Sequence, residues 1–264
     1  MEIFDFALFA KFDENLSVLS TSLTLWESWE YTDPAKEIRE GNNSARFQFP
    51  ILRNYLEYTY RKLRSEDKIV YTDDKQFCSF NTGLVTPHYE DIYAFFEENH
   101  SKSKKCPYFF KAFVRESDRE FLSYFSDRTP QLANYFEQPE LLIFNPKLNI
   151  VKDISHIIDE GRERFPEPIR RASDRELRNQ LIGAIDEATK KARSNYKLGI
   201  PQWYNNKIQL LLPLYLTNSD EADLAIALEK INPTTYLAGV CLTTGMAYNN
   251  ARLIVRPYSE WLKP

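Results

Sequence analysis

An α+β architecture is the fold class this sequence predicts: a single domain over residues 1–264, with a mostly antiparallel central sheet in the second half and flanking helices. Three observations lead there. A long amphipathic helix pattern with its own cap runs from Ser173 to Ala192. Short apolar runs of strand length follow it, at Lys207–Leu216, Tyr236–Leu242 and Ala251–Arg256. No linker, low-complexity tract or repeat separates these elements from the first half.

In chain order, Asn15 is a plausible cap for a helix reaching about Trp29, with Leu16, Leu19, Leu23 and Trp26 on one face. Thr32–Ser44 is polar and reads as a surface loop. After Pro50, the residues Ile51, Leu52, Tyr55, Leu56, Thr59 and Leu63 keep a 3.6 period and predict a second helix. Lys68–Tyr71 and Gln76–Phe80 form a strand pair about an acidic turn, and Asn81-Thr82-Gly83 is expected to end it. A short helix is expected at Tyr89–Phe96, a flexible tip at Ser101–Lys105, and strands at Tyr108–Val114 and Glu140–Phe144. Ser173 with Glu176 is a capping box for the long helix, whose buried stripe is Leu177, Leu181, Ile185, Ala188 and Ala192. Leu210-Leu211-Leu212 is apolar on both faces of its strand, which predicts a central position in the sheet. Asp220, Glu221 and Asp223 suit the first turn of another helix.

Composition excludes several function classes. Only seven glycines occur, none spaced for a dinucleotide or phosphate loop. Three scattered cysteines give neither a disulfide framework nor a metal knuckle. They read as reduced, and with an acidic N-terminus and no membrane-length apolar segment the expected location is cytoplasmic. No cofactor and no metal is expected. A serine hydrolase elbow is lacking, and His156 with Asp153 and Asp159 on one helical face is a weak metal pattern beside the commoner surface histidine.

Charge is distributed unevenly. The chain carries −4 overall, yet residues 188–264 hold nine Lys and Arg against five Asp and Glu, a net of +4 that leaves −8 for residues 1–187. Residues 188–219 and 230–259 contain no acid at all. A local positive face attracts polyanions even on an acidic protein, although clustered solvated lysines are the plainer explanation. The densest stretch is Ser194–Lys207. There Tyr196, Trp203 and Tyr204 offer rings for bases, and Lys197 and Lys207 offer charge for phosphates. The competing explanation is a helix end passing through a proline turn into a strand. Tyr-Asn-Asn occurs twice, at 204–206 and 248–250, beside apparent strands. Asn249-Asn250 reads as the turn of the pair, and the two stretches are expected to meet at one sheet edge, bordering a single anion-accepting pocket.

Several blocks resemble one family in order. They are Ile51–Leu56, Phe80–Leu84, Asn195-Tyr196-Lys197, Ile200-Pro201-Gln202, Ile208–Leu214 and Met246–Ile254. Together they resemble the domain of unknown function numbered 3825, over about Phe9 to Leu262. Members are often joined to LOTUS or cold-shock RNA-binding modules, so the resemblance implies RNA binding or processing. With no such module read in this sequence, RNA recognition is expected from the domain itself or from a separate protein partner that supplies one. Gly245 stands where the family pattern leads one to expect an acidic residue. Carried over by block, Asn81, Thr82, Arg164, Asn195, Gln202 and Arg252 are the candidate RNA- or phosphate-binding residues, joined by Tyr204 from the aromatic stretch. His156, Lys197 and Tyr248 are the candidates for metal-independent catalysis. The ligand expected is single-stranded RNA or a nucleotide, with no membrane partner. The alternative is a protein-interaction or scaffold module in which the same residues form a buried polar network.

Overall fold

The computed structural model describes residues 2–22, 49–101, 106–217, 219–257 and 261–262. It has the α+β character expected, with two five-stranded sheets. Among the described residues, one compact unit comprises 2–22, 49–101 and 106–134, and a second comprises 135–217, 219–257 and 261–262.

The first unit opens with α1 (Ile3–Phe6), β1 (Ala7–Leu8) and α2 (Phe12–Ser22), followed by α3 (Pro50–Ser65). The predicted helix at Asn15–Trp29 is observed as α2 up to Ser22; its remainder, and the loop predicted at 32–44, lie outside the described residues. Pro50 opens α3, where its missing N–H costs nothing. Then come β2 (Val70–Tyr71), β3 (Phe77–Val85), β4 (Asp91–Glu98), β5 (Tyr108–Arg115) and α4 (Arg119–Phe125). The sheet order is β1-β5-β4-β3-β2, with only the β1–β5 pairing parallel.

Two expectations fail in this unit. Tyr89–Phe96 is no helix; β4 occupies its place between β3 and β5. Ile92, Tyr93, Ala94, Phe95 and Phe96 are all buried, because Ala94 and Phe96 pack with Tyr60 and Leu63 of α3, whereas Tyr93 and Phe95 pack with Phe121 and Phe125 of α4. A strand buried on both faces loses its alternation, and a continuous apolar run then imitates a helix segment. Nor does Asn81-Thr82-Gly83 end β3. The pairing slips between Asn81 and Leu84, and the strand resumes to Val85. Gly83, at φ +73°, supplies the left-handed residue of that bulge. The tip predicted at 101–105 is described only at Ser101.

The second unit holds β6 (Asn149–Lys152), α5 (Ile154–Gly161), α6 (Glu167–Arg170), α7 (Asp174–Ser194), β7 (Ile200–Tyr204), β8 (Lys207–Leu214), β9 (Leu224–Asn232), β10 (Thr235–Leu242) and α8 (Thr244–Arg252). Its sheet order is β6-β10-β9-β8-β7, antiparallel except for β6 against β10. Here the predicted α7 is capped as expected: the Ser173 hydroxyl accepts from the Glu176 N–H, and the Glu176 carboxylate accepts from the Ser173 N–H. Leu177, Leu181, Ile185, Ala188 and Ala192 are buried against Leu210 and Leu212 of β8 and Leu224, Ile226 and Leu228 of β9. Each leucine or isoleucine among them contributes about 1.5–3 kcal/mol on burial. Strand β8 is interior, as its two-faced apolar centre implied.

Four expectations are overturned in this unit. Glu140–Phe144 is not a strand; a single 3₁₀ turn, Pro139–Leu141, starts on the proline. Asp220–Asp223 opens no helix. Instead the Asp223 carboxylate accepts from the backbone N–H of Leu216 and Thr217 and from the Thr217 hydroxyl, closing the turn into β9. Ala251–Arg256 is not a closing strand and Asn249-Asn250 is not a turn, because both Asn lie inside α8. Thr243 caps that helix by accepting from the Met246 N–H, and Ala247, Tyr248 and Ala251 recur at helical spacing on its buried side. The short edge strands β6 and β7 were not anticipated. Among the described residues, no helix is long and apolar enough to cross a membrane.

Candidate nucleic-acid interface

Strand alternation assigns the two faces of the second sheet. Leu210, Leu212 and Leu214 point to α5 and α7, while Gln202, Gln209, Leu211 and Glu229 share the other face, with α8 over β7. The candidate residues are distributed over both sides.

On the α8 side, Gln202 is 1% exposed and both its polar atoms are engaged. Its Nε2 donates to Gln209 Oε1 at 2.8 Å, and its Oε1 accepts from Asn250 Nδ2 at 3.1 Å. Gln209 Nε2 in turn donates to Glu229 Oε2 at 3.2 Å, and Lys207 pairs with the same carboxylate. A continuous amide ladder thus ties α8 to three strands and neutralises Lys207. Tyr248 is 2% exposed on α8, and Arg252 is partly buried on the same helix. Arg164 reaches the end of β10, where its Nη1 donates to the Cys241 carbonyl at 2.7 Å. Burial pushes the Cys241 thiol up to about 12, so it stays protonated at neutral pH.

Of the two Tyr-Asn-Asn stretches, the second reaches the edge strand: Asn250 donates to Gln202 of β7, two residues before the first stretch begins. Their backbones differ, however. Asn205 and Asn206 have φ of 49° and 60° and form the two-residue turn between β7 and β8, a conformation that Asn tolerates better than most residues. Tyr204 is exposed at that tip, and Trp203 is buried against Tyr135.

On the other side, His156 is exposed on α5, and its ring makes no hydrogen bond or ion pair among the described residues. Asp153 caps the same helix by accepting from the His156 N–H. Among the described residues, no three His, Cys, Asp or Glu side chains gather as a metal site would require. His156 and Tyr248 therefore sit on helices that cover opposite faces of the sheet.

In the first unit, Asn81 and Thr82 are buried at the bulge. The Asn81 Oδ1 accepts from the Gly83 N–H at 2.8 Å and its Nδ2 donates to Asp91 at 3.2 Å. The Thr82 hydroxyl donates to the Ile92 carbonyl at 2.6 Å and accepts from the Leu84 N–H at 3.2 Å. Both side chains replace ladder hydrogen bonds that the bulge breaks.

Around the end of α7 most side chains are exposed to solvent. The last turns of α7 and the 3₁₀ turn after it (Tyr196–Leu198) expose Lys190, Lys191, Arg193, Ser194, Asn195, Tyr196 and Lys197. Lys191 is engaged by Glu187 at 2.7 Å and lies over the Tyr215 ring. Lys190, Arg193 and Lys197 meet no acidic side chain among the described residues. Asn195 shapes the turn, since its Oδ1 accepts from the Lys197 N–H at 3.2 Å. The Trp261 indole N–H donates to the Leu198 carbonyl at 3.1 Å. Gly199 lets the turn close on Phe144, whose Cβ would lie 3.1 Å from any Cβ added there. Lys190, Lys191, Ser194, Asn195 and Leu198 line an open depression of about 440 Å³. Cations at a helix C-terminus also offset its dipole, but that end carries only about half a negative charge. Three unneutralised cations exceed it, and the region is net positive.

A family model, Domain of unknown function (DUF3825), matches residues 21–261. The chain belongs to that family. Searches of curated proteins and of solved structures each give no match. Within this DUF3825 chain, the sequence blocks have unequal fates. Phe80–Leu84 forms the bulge, Ile208–Leu214 the central strand, and Met246–Ile254 most of α8. Only the Asn195-Tyr196-Lys197 block faces outward throughout. The Gln209–Glu229 ladder went unread in the sequence; Gln at an inward position of an apolar strand was its one signal.

Proposed function

We propose that the protein binds RNA or a nucleotide through the cationic end of α7. The observation supporting this is the grouping of Lys190, Arg193 and Lys197, none with an acidic partner among the described residues, beside the open depression. Phosphates supply the counter-charge that this surface lacks. The reading is one of binding without a chemical step, because His156 and Tyr248 lie on elements covering opposite sheet faces and Tyr248 is buried. It places the protein in the cytoplasm, where its three buried free cysteines would remain reduced. A separate protein carrying an RNA-binding module would be a suitable partner.

The test is fluorescence anisotropy of labelled single-stranded RNA over a salt series. Affinity is expected to fall with salt and to drop in Lys197→Ala; affinity indifferent to both would refute the reading. A second reading, an interaction scaffold with a buried polar network, is favoured by the Asn250–Gln202–Gln209–Glu229 ladder. It accounts best for Asn81, Thr82 and Gln202, whose polar atoms serve the fold.

A further inference from the structure

We infer that the ligand taken at the end of α7 is a single-stranded polynucleotide, held by one base stacked on Tyr196 and by no more than about three phosphates, rather than a duplex or a mononucleotide. The inference rests on the binding reading above and sharpens it. Of the three rings in the Ser194–Lys207 stretch, Trp203 is 4% exposed and committed to the core. Tyr204 is exposed, but it stands at the far end of β7, about 13 Å from Ile200 at roughly 3.3 Å per residue. Its neighbour Lys207 is neutralised by Glu229.

Tyr196 alone combines a free ring, 58% exposed, with unneutralised cations on either side in sequence, Arg193 and Lys197. Its backbone is fixed, because its carbonyl accepts from the Gly199 N–H at 3.3 Å and Asn195 and Trp261 brace the turn. A ring carried on a fixed backbone gives a base a platform at less ordering cost than one carried on a mobile loop. A duplex keeps its bases stacked on one another and offers no face to it. A mononucleotide would engage the ring but not three cations spread along the helix: Lys190 and Arg193 alone are about 4.5 Å apart along the axis.

The count of cations fixes a number. Three phosphates on a single strand give a slope of about −2 in log affinity against log salt, at roughly 0.7 per phosphate. The experiment uses the full chain and fluorescein-labelled oligonucleotides of about a dozen residues: RNA, DNA of the same sequence, and the RNA annealed to its complement. Expected are a slope near −2, tighter binding of both single strands than of the duplex, and a loss of about tenfold in Tyr196→Leu. Tyr196→Phe should stay within about twofold of the parent, and Lys197→Ala should make the slope shallower by about 0.7. Because the ring is exposed, the unfolding midpoint of Tyr196→Leu should equal that of the parent. Duplex binding as tight as single-strand binding, or an unchanged Tyr196→Leu affinity in a protein that binds RNA with salt dependence, would overturn the stacking inference and leave the binding reading standing. A parent chain that binds no oligonucleotide at low salt overturns both. Equal binding of RNA and DNA is the expected result, since neither ring nor cations address the 2′-hydroxyl.

Discussion

Replacing Gln202 with Ala separates a residue that reads a ligand from one that holds the fold. The side chain is 1% exposed and makes two hydrogen bonds, to Gln209 and Asn250. Each contributes about 1 kcal/mol net, and a buried partner left unsatisfied adds a penalty of about 1–3 kcal/mol. Asn250 and Gln209 are both only partly buried, so water can relieve part of that penalty. The loss is then about 2–4 kcal/mol. At roughly 2–4 °C per kcal/mol for a chain of this size, the midpoint falls by about 4–16 °C. Circular dichroism melts give that shift. Anisotropy with labelled RNA, at a temperature where the variant is folded, should give the parent's affinity. Gln202→Met, close in volume, should recover the packing but not the hydrogen bonds and fall between the two. A midpoint unchanged within about 1 °C would refute the ladder. An affinity loss at full folding would return Gln202 to the binding residues.

Gly83→Ala should destabilise the first unit by more than about 1 kcal/mol: φ there is +73°, and the new Cβ would meet the buried Tyr55 hydroxyl at 2.6 Å; a denaturation midpoint at or above the parent's would contradict the bulge geometry. Gly183→Ala, in the exposed middle of α7 with open space around the added methyl, should raise stability by about 0.5–1 kcal/mol in urea titrations. Burial would push the Glu66 carboxyl up, but Lys62, Lys68 and the Asn134 N–H outweigh it and hold it below its ordinary 4.5. A depressed folded-state pKa gives stability present above the unfolded value and lost as pH falls through the folded one, so the acid limb of a midpoint-against-pH curve should flatten in Glu66→Gln.

Legibility of the fold depended on how many faces each element buries. Helix α7 buries one face and carries its own cap, and its bounds were readable to within two residues at each end. Strand β4 buries both, so Tyr93 and Phe95 carry no alternation against Ala94 and Phe96, and a helix was inferred. Near the C-terminus, Asn249-Asn250 suggested a turn, but the Thr243 cap and the burial of Ala247, Tyr248 and Ala251 outweigh the weak helix propensity of the two Asn. The candidate site was legible as charge. The acid-free window from Ala188 is the exposed end of α7, since a missing acid needs no partner to be counted. The amide ladder was illegible because it joins residues 202, 209, 229 and 250, whose adjacency exists only once four elements have paired.

The two Tyr-Asn-Asn copies show why polar identity alone is a poor guide to a binding residue. Asn205 and Asn206 take left-handed φ values at a two-residue turn, whereas Asn250, inside a helix, gives its amide N–H to Gln202. Asn205 and Asn206 serve the turn through their backbone conformation, and Asn250 supplies a hydrogen bond that a buried neighbour would otherwise lack. The same holds for Asn81 and Thr82 at the bulge. Amides and hydroxyls can be absorbed this way because one bond to backbone or side chain completes them. A lysine or arginine without a carboxylate partner cannot be absorbed, since its charge persists at the surface whatever hydrogen bonds it makes. For that reason Lys190, Arg193 and Lys197, rather than the more numerous asparagines and glutamines, are where an anionic partner has something to gain.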